Sequence, residues 1–442
     1  MSTGQTLSLR NAIFININIM LGVGVFINTV ELAKGTGWIG GFLYMAVGIL
    51  MLPLILSMVA LLRLHPGGNF YTFGTKEIGT FAGFISTWGY FSAKLASSAI
   101  MIHTSVLLMQ QLIPALAILH PFILDVSILS IFVGLNTLNL QTGGTIQTAF
   151  LGFKLIPILF TILSGIFLFQ GSYLSPDHIL WQGIPAGLPL LVYVAMGFEA
   201  AVSLSSKIEN SEKNAPRAVL ISYAIVMSIA TLFQLMFYGA VGPALSAAVD
   251  YRNAFPSLIA LIVPAGSAIA SKLLTVLYLA IASSALGGSY GLIFSNSWNL
   301  YSLAQNKHVF FSKLLTSLNK HQIPWACVIT EGIVCLFFLA ITGGAQVLLQ
   351  QLAVFGTTVT YALCALALLL AKIKKPHIGV SLWIPILGLT SCSILLGACI
   401  RGFMIKGIAA LFAFLAILLL GCWMFYRKKQ LTPIMRNHFT HQ

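Results

Sequence analysis

Apolar stretches of about 20 residues, enough for a helix to cross a bilayer, recur along the whole chain with only short polar breaks between them. Lipid is therefore the solvent for most of the surface. Of the 442 residues, 58% are hydrophobic and 7% charged, whereas a typical soluble domain carries roughly 25% charged residues. The expected fold is an all-α polytopic membrane protein of about twelve transmembrane helices, with no length left for a soluble domain.

The pattern places spans at 10–33, 38–62, 80–113, 122–139, 146–169 and 185–206, and then at 217–242, 268–304, 325–342, 350–371, 381–400 and 405–426. The run after Arg10 is too long for a removable signal peptide and lacks a small-residue cleavage site, so the first span is expected to stay in the protein. One membrane domain over 1–426 and a short basic cytoplasmic tail over 427–442 account for the chain.

Orientation follows from Lys and Arg, which gather in short cytoplasmic loops. With the N-terminus inside, sixteen of the 23 basic residues fall on the cytoplasmic side. Five (Lys34, Arg252, Lys272, Arg401 and Lys406) fall outside, and Lys94 and Lys154 lie within spans. Both termini are expected in the cytoplasm, with the protein in the cytoplasmic (inner) membrane. The formal charge of +14 is thus topological, not a nucleic-acid footprint. The six cysteines all fall in apolar segments without CxxC or Cys/His spacing, so they read as small core residues and no metal site is expected.

Two spans are interrupted. Gly22-Val23-Gly24-Val25-Phe26 sits in the middle of the first, where each glycine weakens a helix by about 1 kcal/mol relative to alanine. Ala195-Met196-Gly197-Phe198-Glu199 interrupts the sixth, with a carboxylate directly after the glycine and Pro185 and Pro189 near the outer start. Paired discontinuities five spans apart point to an inverted-repeat transporter, here with repeats over 10–169 and 185–371 and two extra helices over 381–426. In such a fold unwound backbone at the midplane grips the charged ends of a solute, and half-helix N-termini suit a carboxylate. The substrate-binding candidates are Gly22, Val23, Gly24, Val25, Ala195, Gly197, Phe198 and Glu199. The alternative reading of each glycine site is close helix packing.

The break Gly22-Val23-Gly24-Val25-Phe26 resembles the GxGxF-type break of the amino acid-polyamine-organocation (APC) superfamily of transporters, which share the leucine-transporter-type fold. Further motifs follow in order and spacing. His65-Pro66-Gly67-Gly68-Asn69-Phe70 with Gly83-Phe84 and Trp88 resembles the family's loop into its third helix. Leu138-Asn139, Gln147 and Lys154-Leu155-Ile156-Pro157 resemble its passage from the fourth helix into the fifth. Gly197-Phe198-Glu199, then Glu209 and Asn214-Ala215-Pro216-Arg217, resemble its sixth helix and the loop behind it, and Leu303-Ala304 and Pro324 echo the end of its eighth. The chain departs from the pattern at Ser297-Trp298, where a Ser-Arg pair is common, and at Ala60-Leu61-Leu62, where an acidic residue is common. The resemblance implies that Lys154 occupies the position of the sodium ion in sodium-coupled members.

An ionisable side chain in the hydrocarbon costs at least about 2.5 to 3.5 kcal/mol on insertion scales, so each needs a partner or a wet cavity. Lys154 is expected against carbonyls near Gly22 and polar groups of the eighth span, either as a proton-releasing amine or as a permanently charged tether. Glu199 is expected to contact a substrate amine, carry a proton or cap unwound backbone. Lys94 either favours an acidic substrate, neutralises Glu199 or snorkels toward the cytoplasm. His103 reads as a packed, hydrogen-bonded histidine, with titration near neutral pH as the other reading. Tyr193, Phe198, Tyr290 and Phe355 lie where gates are expected.

The expected function is secondary active transport of amino acids or related amines by alternating access. The expected coupling is proton symport, with amino acid, amine or polyamine exchange as the alternative. The partners are a small-molecule substrate, the bilayer and protons, with no cofactor, no nucleic acid and, lacking GxxxxGK[ST], no nucleotide. No HExxH, GxSxG or GxGD signature is expected for a membrane-interior enzyme to rest on, and no catalytic residue is expected. A channel would need a ring of repeated filter segments, and a sensor would need a signalling appendage.

Overall fold

The computed structural model describes residues 6–138 and 140–438. Asn139 of the Leu138-Asn139 pair lies outside the described residues, as do the side chains of Lys406, Lys428, Lys429 and Arg436. Among the described residues the chain is helical, with two isolated β-bridges, Leu7 to Ile208 and Gly37 to Ile179, and no strand.

The first span is two helices, α1 (Leu9–Met20) and α2 (Gly24–Thr36), separated by Leu21, Gly22 and Val23. Then come α3 (Gly40–Leu64), the short α4 (Phe70–Glu77), α5 (Thr80–Leu112), the single turn α6 (Pro114–Ala117), α7 (Pro121–Leu135) and α8 (Leu140–Leu168). The sixth span is split as well, into α9 (Ile184–Ala195) and α10 (Ala200–Ser203). The second half continues with α11 (Ser211–Val241), the short α12 (Pro243–Ala247) and α13 (Ala254–Ile259), then α14 (Ala268–Gln305). The chain ends with α15 (Ser312–Leu315), α16 (Trp325–Thr342), α17 (Gln346–Lys374), α18 (Trp383–Lys406) and α19 (Ala409–His438).

Among the described residues nine helices, with α1 and α2 taken together, are long and apolar enough to cross a bilayer. Three shorter apolar helices, Pro121–Leu135, Trp181–Ala195 and Leu411–Arg427, fall where the fourth, sixth and twelfth spans were expected. Three differences from the sequence expectation stand out. α4, capped by Asn69 whose side chain accepts from Thr72 N at 3.2 Å, forms in a stretch taken as loop. The first break ends at Val23, so Val25 and Phe26 already belong to α2. The tail expected from 427 begins as a continuation of α19.

Burial separates an inner set of helices from an outer one. The most apolar windows of α1–α2 and α5 are 89% buried, whereas those of α8 and α18 are 33% buried. An apolar helix buried all round belongs to the middle of a bundle, and one with exposed apolar side chains faces lipid. Ile166 and Phe167 of α8 and Leu419 and Trp423 of α19 are such outward residues. Among the described residues the α5–α14 contact is the most extensive, followed by α5 with α17 and α3 with α11. Both helix breaks are thereby enclosed by α5, α14 and their neighbours.

Candidate substrate and coupling site

Unwinding at Leu21 frees the last carbonyls of α1, which have no amide four residues on to accept from. Lys154 of α8, fully buried, donates its Nζ to the Asn18 carbonyl at 2.5 Å and the Leu21 carbonyl at 3.3 Å. Ser284 of α14 donates to Leu21 O at 3.0 Å and Gly22 O at 2.7 Å. Asn18 Nδ2 donates to Gly287 O at 3.0 Å and also holds Gln147 Oε1. The backbones meet here because glycines meet: a Cβ on Gly288 would stand 3.1 Å from Gly22 Cα.

The sixth span opens at Met196, whose backbone is extended (φ −84°, ψ 154°), and Gly197 follows at φ +119°, a conformation that L side chains rarely adopt. A Cβ on Gly197 would also lie 2.9 Å from side-chain atoms of Ile19 and Met20, so the two breaks pack directly on one another. Asn16 of α1 ties them together. Its Nδ2 donates to Phe198 O at 2.7 Å and Ser222 Oγ at 3.1 Å, and its Oδ1 accepts from Ala201 N at 3.0 Å.

Glu199 turns back into its own break, accepting from Gly197 N at 2.8 Å through Oε2. Its other oxygen lies 2.5 Å from Lys94 Nζ and accepts from Tyr90 Oη at 3.3 Å. Both members of the pair are buried, Lys94 2% and Glu199 0% exposed, so Lys94 does not snorkel. Nearby, Tyr193 Oη accepts from Ser97 Oγ at 3.1 Å, and its ring edge would meet a Cβ on Gly24 at 2.9 Å. Val23, Val25, Ala195 and Phe198 are all buried, and the Phe198 ring packs 5.6 Å from Tyr361 and 5.7 Å from Tyr223.

Two of the residues expected at gates pack against neighbouring helices. The Tyr290 ring packs 5.6 Å from Phe132 and 6.4 Å from Phe150, on the side of α7 and α8. Phe355 packs 5.8 Å from Phe403 and 6.0 Å from Phe414, against the two C-terminal helices. Helical phase decides this: spacing in the sequence names the helix but not which neighbour a given face meets. His103 Nδ1 lies 2.8 Å from Asp125 Oδ2 of α7, a buried carboxylate that the sequence reading passed over.

The sequence expectation of no nucleophile signature needs one correction. Gly287-Gly288-Ser289-Tyr290-Gly291 matches the GxSxG spacing, but it lies inside the continuous helix α14. A nucleophile elbow needs a strand-to-helix turn, and Ser289 Oγ is instead 2.6 Å from Ser98 Oγ.

A polar cavity of about 470 Å³ lies beyond α10, lined by Ser203, Lys207, Trp298, Lys76, Asn69 and Tyr301 among others. Lys207 Nζ stands 4.2 Å from the centroid of the Trp298 ring, at the Ser297-Trp298 departure. Asn16, Asn18, Ser284 and Glu331 were not singled out from the sequence. The usable signal was an amide, hydroxyl or carboxyl within an apolar run, which lipid tolerates only where it is partnered or functional.

Residues 7–432 match the family profile described as amino acid permease. The chain is 23% identical over 401 residues to a D-serine/D-alanine/glycine transporter of Escherichia coli O6:H1, covering 85% of this chain and 82% of that protein. It is 24% identical to the amino-acid permease RocE of Bacillus subtilis, covering 76% and 73% of the two chains. Over a shorter stretch it is 25% identical to an L-lysine transport protein of Corynebacterium glutamicum, covering 61% and 57%. These relatives are named as transporters and permeases rather than enzymes, and with its many long apolar helices the chain is an integral membrane protein. It belongs to the amino acid permease family of the APC superfamily.

Proposed function

We propose that this permease moves amino acids across the cytoplasmic membrane by alternating access, with uptake coupled to protons. The reading takes the chain as twelve spans, two five-span repeats of opposite orientation and two further helices, with both termini in the cytoplasm. The observation that carries it is the Lys154 ammonium at 2.5 Å from the Asn18 carbonyl, beside the first break. A side-chain cation there supplies the charge that a bound metal cation would supply, and it supplies it in a form able to lose a proton. No cofactor or nucleotide enters the cycle.

In this reading the amides at the start of α2, Gly24 and Val25, receive the substrate carboxylate, since the first amides of a helix lack internal acceptors. Carbonyls at the sixth break face the substrate amine, beside the Glu199 carboxylate that Lys94 holds. The names of the relatives favour small neutral amino acids or lysine as first substrates to test. Exchange is the second reading, favoured if Lys154 stays charged through the cycle as a tether. The test is uptake of labelled D-serine, D-alanine, glycine and L-lysine into proteoliposomes, with and without an inward proton gradient and with and without preloaded substrate. Gradient-stimulated uptake supports symport. Uptake only into preloaded vesicles overturns symport in favour of exchange.

A further inference from the structure

Glu331, in the first half of α16, is completely buried, and neither carboxyl oxygen has a hydrogen-bond partner among the described residues. Other buried acids are matched to a base: Glu199 to Lys94, Glu77 to His65 and Asp125 to His103. Glu331 has no such match among the described residues, and no role described above uses it.

Among the described residues no cation is paired with it. The titratable groups in electrostatic contact with it are Cys327 and Cys335, one turn to either side on α16. They are themselves turned to carbonyls, Cys327 Sγ to Leu315 O of α15 at 3.2 Å and Cys335 Sγ to Leu95 O of α5 at 3.5 Å. Lys94 and His103 of α5 hold Glu199 and Asp125, and α7 lays Leu129 and Val133 toward neighbouring Gly332. Lys313 of α15 is exposed, and Lys372 and Lys374 of α17 hold the carbonyls of Pro376 and Glu77. From α14 the Asn296 amide faces the carboxyl.

Asn296 is the start of a polar chain. Its Nδ2 donates to Phe91 O at 3.0 Å, and its Oδ1 accepts from Asn299 Nδ2 at 3.0 Å. Asn299 Nδ2 also donates to Ser203 Oγ at 2.9 Å, in the turn directly after Glu199. Ser203 in turn lines the polar cavity of about 470 Å³. An unpaired carboxylate among apolar groups and carbonyls is costly, whereas a protonated carboxyl needs one acceptor, and a carbonyl oxygen such as Asn296 Oδ1 has two lone pairs.

We propose that Glu331 is a proton-binding site of this permease, linked through Asn296, Asn299 and Ser203 to the turn that carries Glu199. The proposal rests on the proton-coupled reading above. Protonated, Glu331 donates to Asn296 Oδ1 and leaves the chain to Ser203 in place. Ionised, it competes for the hydrogens of the Asn296 amide that hold the Phe91 carbonyl; it loosens α14 from α5 and shifts the Asn296 oxygen to which Asn299 donates.

The test uses the full chain in proteoliposomes, as wild type, Glu331→Gln and Glu331→Asp, with the same four labelled amino acids. Glu331→Gln is expected to keep exchange without a pH gradient within about twofold of wild type and to lose gradient stimulation by about tenfold, with Glu331→Asp restoring a pH dependence. Unchanged gradient stimulation in Glu331→Gln, with wild type stimulated, overturns the role of Glu331 alone. A wild type that exchanges but ignores the gradient overturns the proton-coupled reading and this inference with it. Should Glu331→Gln show no exchange, dicyclohexylcarbodiimide labelling of the wild type decides, since the reagent attacks protonated carboxyls in apolar surroundings. An adduct at Glu331 that declines as pH rises supports the site, and no adduct, or one indifferent to pH, overturns it.

Discussion

Lys94 Nζ and Glu199 Oε1 stand 2.5 Å apart, joining the middle of α5 to the break in the sixth span with both side chains buried. The carboxylate that the sequence offers to a substrate amine therefore already has an amine beside it. Removing one partner of a buried pair leaves the other charge uncompensated, which costs about 3 to 5 kcal/mol, while replacing both is far milder. Lys94→Met is thus expected to lower thermal stability in detergent strongly, and Lys94→Met with Glu199→Gln to recover much of the loss. Additive losses in that double-mutant cycle would mean the pair is not coupled.

Lys154→Ala leaves the carbonyls of Asn18 and Leu21 without their ammonium. In the proton-coupled reading this variant loses pH-dependent uptake. A Lys154 that only tethers α8 to α1 would instead lower protein yield and leave the pH profile of the surviving activity unchanged.

Asn16→Ala removes the side chain that serves Phe198 O and Ala201 N together. Each buried backbone group left unsatisfied costs about 1 to 3 kcal/mol. The expected result is a lower unfolding temperature and slower uptake, whereas Asn11→Ala, a change to a partly buried residue near the start of α1, serves as the control.

Gly197→Ala meets two obstacles, the positive φ of +119° and a Cβ only 2.9 Å from Ile19 and Met20. Backbone strain of this kind costs about 1 to 3 kcal/mol. Uptake is expected to fall at least tenfold, on the order of 1.4 kcal/mol, and full activity would show that the two breaks are not packed in the transport cycle.

His308, in the loop after α14, accepts or shares a hydrogen bond with Tyr71 Oη at 2.7 Å, and burial lowers its pKa from the usual 6.5. A depressed histidine is neutral in the folded chain while the unfolded chain takes up a proton, so stability is lost as pH falls below about 6.5. His308→Gln is expected to flatten the decline in unfolding temperature between about pH 6.5 and pH 5. An unchanged slope would place the acid sensitivity elsewhere.

Much of the framework was legible because lipid imposes one requirement on every span. A run of about 20 apolar residues has few other solutions, so helix positions could be read directly and α14 and α16 begin at the expected residues. The breaks were legible for a related reason, since glycine pairs at Gly22 and Gly24 and the Gly197-Phe198-Glu199 stretch weaken a helix locally. α4 was missed because its eight residues, Phe70–Glu77, carry too little periodicity to separate from a loop.

The sequence by itself determined that the chain spans a membrane, where its helices run and which two of them are interrupted. Those properties follow from local hydrophobicity and local helix propensity. Only the tertiary structure decided that Lys94 is the partner of Glu199, that Asn16 joins the two breaks, that Tyr290 and Phe355 face other helices, and that Glu331 stands unpaired. Inside a lipid-embedded bundle the partner of a polar group is set by the phase and packing of helices far apart in the chain, and no local pattern records that.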